Sequence, residues 1–114
     1  VPRIVNERKK QVEKTVIATI RNVLKKQYDF KLKFSRFAQN LRELKRQGLL
    51  FDAALARGFK NGYLFKLKSG GPNNWTLEAR PADGLGRYFY CDQTGTIRGE
   101  EGEQAKSESP VIEQ

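Results

Sequence analysis

The sequence of 114 residues has no histidine, no methionine and a single cysteine, Cys91. Without histidine the chain has no Ser-His-Asp or Cys-His catalytic group and no zinc site with an imidazole ligand. A single cysteine excludes an intrachain disulfide, and in an aromatic strand we expect its side chain to be a small buried apolar group. We therefore predict that the chain is not an enzyme and that it holds no cofactor and no metal.

Long hydrophobic runs are also missing. No apolar run approaches the ~20 residues that a membrane-spanning helix needs, so we do not expect residues 1–114 themselves to cross a bilayer. Since the chain begins with Val1 and contains no methionine, we expect a processed or truncated product. Its length fits one domain with a single modest core.

Charge is plentiful but unevenly distributed. Residues 1–68 contain 18 Lys and Arg against 5 Asp and Glu, whereas residues 69–114 contain 4 against 8. The whole chain has a net charge of +9. This asymmetry indicates either a surface that binds polyanions or electrostatic head-to-tail association between copies.

The first part of the chain has the pattern of one long amphipathic helix, which we predict over residues 1–28. Pro2 suits a first helical turn, because the N–H that proline lacks has no partner there. The apolar residues recur with a 3.6-residue period. They are Val5, Val12, Val16, Ile20, Val23 and Leu24, with Ile17 and Tyr28 beside them.

Residues 29–60 are predicted to be a connecting region of short helical and irregular pieces. Alternation of Phe30, Leu32 and Phe34 with lysines favours a short strand or an extended link between residues 28 and 37. Ser35 is then the predicted cap of a second helix that ends at Gly48. One or two further helical turns are expected between residues 49 and 58.

Residues 61–98 alternate at period 2 between turn residues, which predicts an antiparallel meander of three long strands and a short one. Its last hairpin has Asp92 and Gly95 in the turn, since Asp bonds its own backbone and Gly adopts a positive φ. Phe89 and Cys91 fall on one strand face, and we expect Phe89 to pack against Val16, Ile20 and Val23. Residues 99–114 are predicted to be an acidic tail or surface loop, with Val111-Ile112 docking back onto the domain.

Three sets of residues resemble the type IV pilin and type II secretion pseudopilin superfamily. The first is Val1-Pro2-Arg3-Ile4, which is similar to the point where the apolar part of the pilin helix ends. The second is the amphipathic stretch from Glu13 to Tyr28. The third comprises segments that resemble the C-terminal sheet of pilin heads, namely Gly62-Tyr63-Leu64-Phe65, Ala79-Arg80-Pro81, the hairpin from Gly86 to Arg98, and Ser109-Pro110.

The resemblance implies an α+β fold in which a long N-terminal helix packs on a three- to four-stranded antiparallel meander. It also implies a structural subunit of a type IV pilus or a type II secretion pseudopilus, assembled by helix packing with copies of itself or related pilin subunits. The partner before assembly would be the inner membrane, reached through a segment absent from residues 1–114, and the location a bacterial cell surface or periplasm. The calcium loop of the major secretion pseudopilin is not recognisable, since Gly99-Glu100-Glu101-Gly102-Glu103 lacks the spaced ligand order.

The basic residues of the first helix are the candidate contacts with neighbouring subunits or with polyanions. They are Arg8, Lys9, Lys10, Lys14, Arg21, Lys25 and Lys26. A plain solvated face explains the same charges, and the alternative function is nucleic-acid binding, including DNA uptake by a pilin. In that alternative Phe30, Phe34, Phe37 and Tyr63 would stack on bases, although their spacing serves a core equally well.

Overall fold

The protein is described from a computed structural model, which covers residues 2–50, 52–71 and 73–112, with side chains in the first helix from Gln11 onward. Three helices precede five strands. The helices are α1 (Pro2–Phe34), α2 (Leu41–Arg46) and α3 (Ala53–Ala56). The strands are β1 (Phe59–Lys60), β2 (Tyr63–Gly71), β3 (Asn74–Pro81), β4 (Arg87–Asp92) and β5 (Ile97–Glu101).

The strands form one antiparallel sheet in the order β1-β2-β3-β4-β5, so the predicted α+β class and the meander are confirmed. The predicted number of strands is wrong, because the sheet has five. The additional strand is β1, in which Lys60 pairs with Tyr63 around the turn at Asn61 and Gly62. Both turn residues have positive φ angles, 54° and 78°, which is the conformation that Asn-Gly hairpins favour.

Helix α1 packs along one face of this sheet. At one end Asn61 Nδ2 donates to Thr15 Oγ1 at 3.4 Å, and at the other end Lys31 Nζ donates to Asn73 Oδ1 at 3.0 Å. Since Asn61 precedes β2 and Asn73 follows it, α1 runs in the same general direction as β2. With a rise of about 1.5 Å per residue α1 is about 50 Å long, and the longest dimension of the molecule is 49 Å.

The core lies between α1 and the sheet, and the segment that connects them also contributes to it. Val16, Ile20 and Val23 of α1 and Phe89 of β4 are all fully buried in one apolar cluster, where the predicted contacts between Phe89 and the helix would lie. The other fully buried apolar side chains of the cluster are Phe30, Ala38, Leu44, Leu77, Ala79 and Cys91. Because these residues lie in all three parts of the chain, the helices and the sheet share a single core.

The end of α1 differs from the prediction, since the helix continues to Phe34 and residues 28–34 form no strand. Phe30 is seven residues after Val23 and is buried on the same face, and its ring lies 4.5 Å from that of Phe34 one turn later. The alternation with lysines is equally compatible with a helix, where Lys31 and Lys33 interact favourably with the C-terminal end of the dipole. Val12, which the helical period places on the apolar stripe, and Tyr28, which it places beside that stripe, are partly exposed.

Ser35 does not cap the second helix, contrary to the prediction. It follows the end of α1 with a φ of 60°, and Asn40 is the residue that caps α2. The Asn40 side chain accepts a hydrogen bond from Glu43 N at 2.8 Å. The predicted end before Gly48 and the short helix α3 before Gly58 are confirmed.

The C-terminal segment is only partly the loop that was predicted. Residues 99–101 belong to β5, and Ala105 and Ser109 are buried. Ile112 N donates to Ile97 O at 2.9 Å, and its side chain packs against the core, so the predicted docking of residues 111–112 is confirmed. Among the described residues, no helix is long and apolar enough to span a membrane.

Candidate interaction surface

The side of α1 that faces away from the sheet carries a continuous exposed stripe, which we call the outer ridge. Its residues are separated by three and four positions in alternation, so they lie in one line on the helix surface. They are Gln11, Lys14, Ala18, Arg21, Lys25, Tyr28 and Leu32. The ridge lies opposite the buried line that contains Val16, Ile20 and Val23.

Three of the predicted contact residues, Lys14, Arg21 and Lys25, lie together on the outer ridge. Lys26 is half-buried on the flank of α1 and does not belong to it. The side chains of Arg8, Lys9 and Lys10 lie outside the described residues, as does that of Val5. The structure therefore groups three of the seven candidate cations on one surface.

No ion pair within 4.0 Å involves Lys14, Arg21 or Lys25 in the part of the chain whose side chains are described. The ridge itself contains no carboxylate, so its positive charge is not neutralised locally. Such a surface attracts acidic partners over a distance of about 8–10 Å at physiological salt. Each exposed pair that it forms with a partner adds only about 0.2–1 kcal/mol, so binding requires several contacts together.

The ridge ends in apolar side chains. The Leu32 side chain is 87% exposed and that of Tyr28 is 45% exposed. The Tyr28 hydroxyl donates to Gln93 O at 3.3 Å, which ties this end of the ridge to the β4–β5 turn. A partner that lies along α1 thus meets cations first and then an apolar tip.

The aromatic residues proposed for base stacking are not available on this surface. Phe30, Phe37 and Tyr63 are buried, and Phe34 is 36% exposed. Lys31 lies 4.7 Å above the ring of Phe37, so even the nearby cation contributes to internal packing. These aromatics are core residues, which removes stacking by three of the four from the nucleic-acid alternative.

The β4–β5 turn has the predicted chemistry. Asp92 Oδ1 accepts a hydrogen bond from Thr94 N at 3.0 Å, and Gly95 has a φ of 81°. A Cβ at Gly95 would lie 3.7 Å from Leu24 Cδ2 and 3.8 Å from the Tyr28 hydroxyl. Asp92 and Gly95 therefore have a structural role, which is to place the hairpin turn directly against α1.

Cys91 is fully buried, as predicted, and burial raises the pKa of its thiol to about 12. The reactive form of cysteine is the thiolate, and a thiol with this pKa stays protonated at neutral pH. No group of three or more Cys, Asp and Glu side chains suited to a metal ion occurs among the described residues.

A groove beside β2 was missed by the sequence analysis. It lies between the α1–α2 loop, α2 and the edge of β2, and Leu67 lines it along its length. The signal in the sequence is the short distance from Gly58 to the Asn61-Gly62 turn, which leaves β2 a partner of only two residues. The sequence does not show that β1 covers only two residues of β2, because that depends on the register with which the two strands pair.

Comparison of the chain with protein-family models, with curated proteins and with solved structures finds no match in any of the three. The residues and the geometry of the outer ridge are therefore what carries a functional argument.

Proposed function

We propose that this chain is the head and lower helix of a structural subunit of a type IV pilus or a type II secretion pseudopilus. The observation that supports it is the double role available to α1. One side of the helix is buried on an antiparallel meander, while the opposite side remains exposed from Gln11 to Leu32. A helix with one face in its own domain and one face free suits a subunit that packs against neighbours.

Charge distribution supports the same proposal. The outer ridge is basic, whereas the acidic side chains Glu101, Glu103 and Glu108 are exposed in the C-terminal part of the head. Contacts between two different surfaces of identical subunits are heterologous, and they build open-ended filaments when the rotation does not close. Contact between the ridge of one copy and the acidic segment of the next would set the register of such a filament.

In this proposal the membrane and the filament core are contacted by an apolar segment N-terminal to Val1. That segment would lie in the inner membrane before assembly, and the head would then be displayed in the periplasm or at the cell surface. The function needs no catalytic group, so the buried neutral Cys91 is a packing residue in this proposal.

The decisive experiment uses the full-length gene product in its own cell, with a photo-cross-linking amino acid at Ala18. Ala18 is exposed on the ridge, so irradiation is expected to give a ladder of multiples of the subunit mass. The same amino acid at Ala82, which is exposed but lies outside both the ridge and the acidic C-terminal segment, is the positional control and is expected to give no such ladder. A single unlinked band from Ala18 would contradict the proposal.

Charge reversal tests the same surface. The triple variant Lys14→Glu, Arg21→Glu, Lys25→Glu is expected to fold normally, since all three side chains are exposed, and to lose both the ladder and the filaments seen by electron microscopy. The control variant Lys45→Glu, Arg46→Glu, Arg80→Glu changes the net charge equally at exposed positions outside both the ridge and the acidic C-terminal segment. Normal filaments from the ridge variant would refute the proposed contact.

Three unpaired cations on one helix face also favour the nucleic-acid alternative, and the same two variants test it. If the ridge binds duplex DNA, affinity falls steeply between 50 and 200 mM salt, and the ridge variant loses more of it than the control. Absence of DNA binding at 50 mM salt would leave subunit contact as the role of the ridge.

A further inference from the structure

One edge of the sheet is open along half of its length. Strand β2 has nine residues and β1 only two. Phe65 N donates to Gly58 O at 2.8 Å, and past this bond the partner strand has ended. A Cβ at Gly58 would lie 2.9 Å from Phe65 O, so only glycine allows the two backbones to approach this closely where the pairing ends.

In a β-strand the backbone N–H and C=O groups of every second residue point to the same side, and those of Phe65 point away from β3 towards Gly58. The N–H and C=O groups of Leu67 and Ser69 therefore point away from β3, towards the open side. Among the described residues, no backbone or side-chain hydrogen bond to these groups occurs on that side. Unpaired groups in this arrangement are a template for an added strand.

A groove runs beside this edge. It consists of two neighbouring cavities of about 750 and 450 Å³, both lined by Asn40 and Leu67. The α1–α2 loop forms one wall, and the apolar side chains of Phe37 and Phe65 line the two cavities in turn. Residues 67–71 extend over about 17 Å, which is enough for a segment of five residues.

The walls of the groove are basic. Five cations line the two cavities, and no carboxylate among the described residues does. Arg36 is paired with Glu43 at 2.9 Å and Lys68 lies 3.7 Å from Glu78. Among the described side chains the other three cations have no carboxylate partner within 4.0 Å, and of these Arg57 donates from Nε to Ala53 O at 3.3 Å, which leaves Arg42 and Lys66. The five cations are Arg36, Arg42, Arg57, Lys66 and Lys68.

We propose that an extended acidic peptide segment of a partner protein adds to the open edge of β2 as a sixth strand. Its backbone pairs with Leu67 and Ser69, and its acidic side chains contact Arg42 and Lys66. Main-chain bonds supply affinity in this mode of recognition, and alternate side chains supply specificity. The chain's own acidic C-terminal segment is already held against its sheet, because residues 100–101 belong to β5, Ala105 and Ser109 are buried, and Arg98 donates to Ser109 O at 2.8 Å. A second copy therefore offers no free extended acidic segment.

The test uses the 114-residue chain and a fluorescein-labelled dodecamer in which Glu alternates with Thr and Val. Binding is measured by fluorescence anisotropy, and hydrogen exchange is measured at the Leu67 and Ser69 amides. We expect saturable binding and at least about tenfold slower exchange at both amides. A dodecamer that alternates Glu with Pro carries the same charge but cannot pair as a strand, and we expect it to bind at least about tenfold more weakly.

Two protein variants locate the site. Ser69→Pro removes an N–H on the open side without removing one from the β2–β3 ladder, and it is expected to weaken binding about tenfold. Ser69→Ala keeps the N–H and is expected to bind like the parent chain. Thermal denaturation of both variants shows whether each is folded.

The charge contribution has its own matched pair. The double variant Arg42→Ala, Lys66→Ala is expected to weaken binding about tenfold. The control variant Lys45→Ala, Arg46→Ala changes two cations outside the groove, and its affinity is expected to stay within about twofold of that of the parent chain. If the basic residues only keep other strands away from the edge, the Glu-containing dodecamer does not bind. That result, equal binding of the Glu-Pro peptide, or unchanged binding by a folded Ser69→Pro variant would overturn the proposal.

Discussion

The α1–sheet body and the connecting segment (residues 35–58) are held in place by different kinds of contact. In the body, fully buried apolar side chains such as Val16 of α1 and Leu77 and Phe89 of the sheet belong to one cluster. Burying such side chains stabilises by about 1.5–3 kcal/mol each. The body is therefore stabilised by many contacts of one kind, which its periodic sequence already encodes.

The connecting segment also contributes buried leucines to the core, but polar bonds define its path. Gln27 is fully buried in α1 and bonds both backbone groups of Ala38: its Nε2 donates to Ala38 O at 3.1 Å, and its Oε1 accepts from Ala38 N at 2.8 Å. Arg36 donates two hydrogen bonds of 2.9 Å to Glu43. A few specific bonds thus determine where this segment lies, and each is made by one side chain.

The largest effect is expected from a cavity in the body. Phe89→Ala should lower the free energy of unfolding by about 3–5 kcal/mol, because it removes a fully buried ring from the core. Leu85→Ala, at an exposed position, should change it by no more than about 0.5 kcal/mol. Urea denaturation measures both, and a loss below about 1 kcal/mol for Phe89→Ala would contradict the packing of α1 on this strand.

A smaller loss is expected where the two regions meet. Gln27→Leu keeps a similar volume but leaves the N–H and C=O of Ala38 buried without partners, which should cost about 2–3 kcal/mol. The same substitution at the exposed Gln11 is the control and should be close to neutral. If both variants unfold at the same urea concentration, the two hydrogen bonds from the Gln27 side chain to the Ala38 backbone do not hold the connecting segment in place.

The smallest effect is expected within the connecting segment, and it depends on pH. Hydrogen bonds from Arg36 lower the pKa of Glu43 from 4.5 to about 2. Since the pKa in the folded state is the lower one, the stabilisation is fully present above pH 4.5 and is lost as the pH falls towards 2.

Glu43→Gln should therefore cost about 1 kcal/mol at pH 7, the upper range for a partly exposed ion pair. The difference from the parent chain should shrink at about pH 2.5, because Glu43 of the unfolded parent chain is protonated there, and proton uptake on unfolding removes most of the stabilisation. Thermal denaturation at both pH values measures it, with the exposed Glu108→Gln as the control. A difference that stays constant down to the acidic end would mean that the ion pair with Arg36 is not its source.

The two regions also differ in how well the sequence predicted them. The period of 3.6 in α1 and the period of 2 in β2, β3 and β4 gave the correct elements, and the turn at Asp92 and Gly95 followed from local side-chain chemistry. At the junction of α1 with the connecting segment the prediction was wrong, both for the end of α1 and for the role of Ser35. Phe30, Leu32 and Phe34 satisfy a strand pattern, and only the burial of Phe30 in the tertiary core favours the continued helix.

The candidate surface was predicted in part. Counting charges identified Lys14, Arg21 and Lys25 as residues of one helix, and helical spacing is enough to align them. The half-buried position of Lys26 depends on neighbours that are distant in sequence. The groove beside β2 was not predictable, because it arises from the register of β1 on β2 and from the path of the α1–α2 loop.

The sequence by itself determined the elements whose apolar period is long and regular, the hairpin turn, and the concentration of positive charge in the first 68 residues. These properties depend on neighbours within a few positions, so local chemistry specifies them. Only the tertiary structure decided which face of α1 is free, where α1 ends, how residues 102–112 return to the sheet and which strand edge is open. Each of those depends on contacts between residues far apart in the chain, and burial against a distant surface outweighs the weak local preferences there.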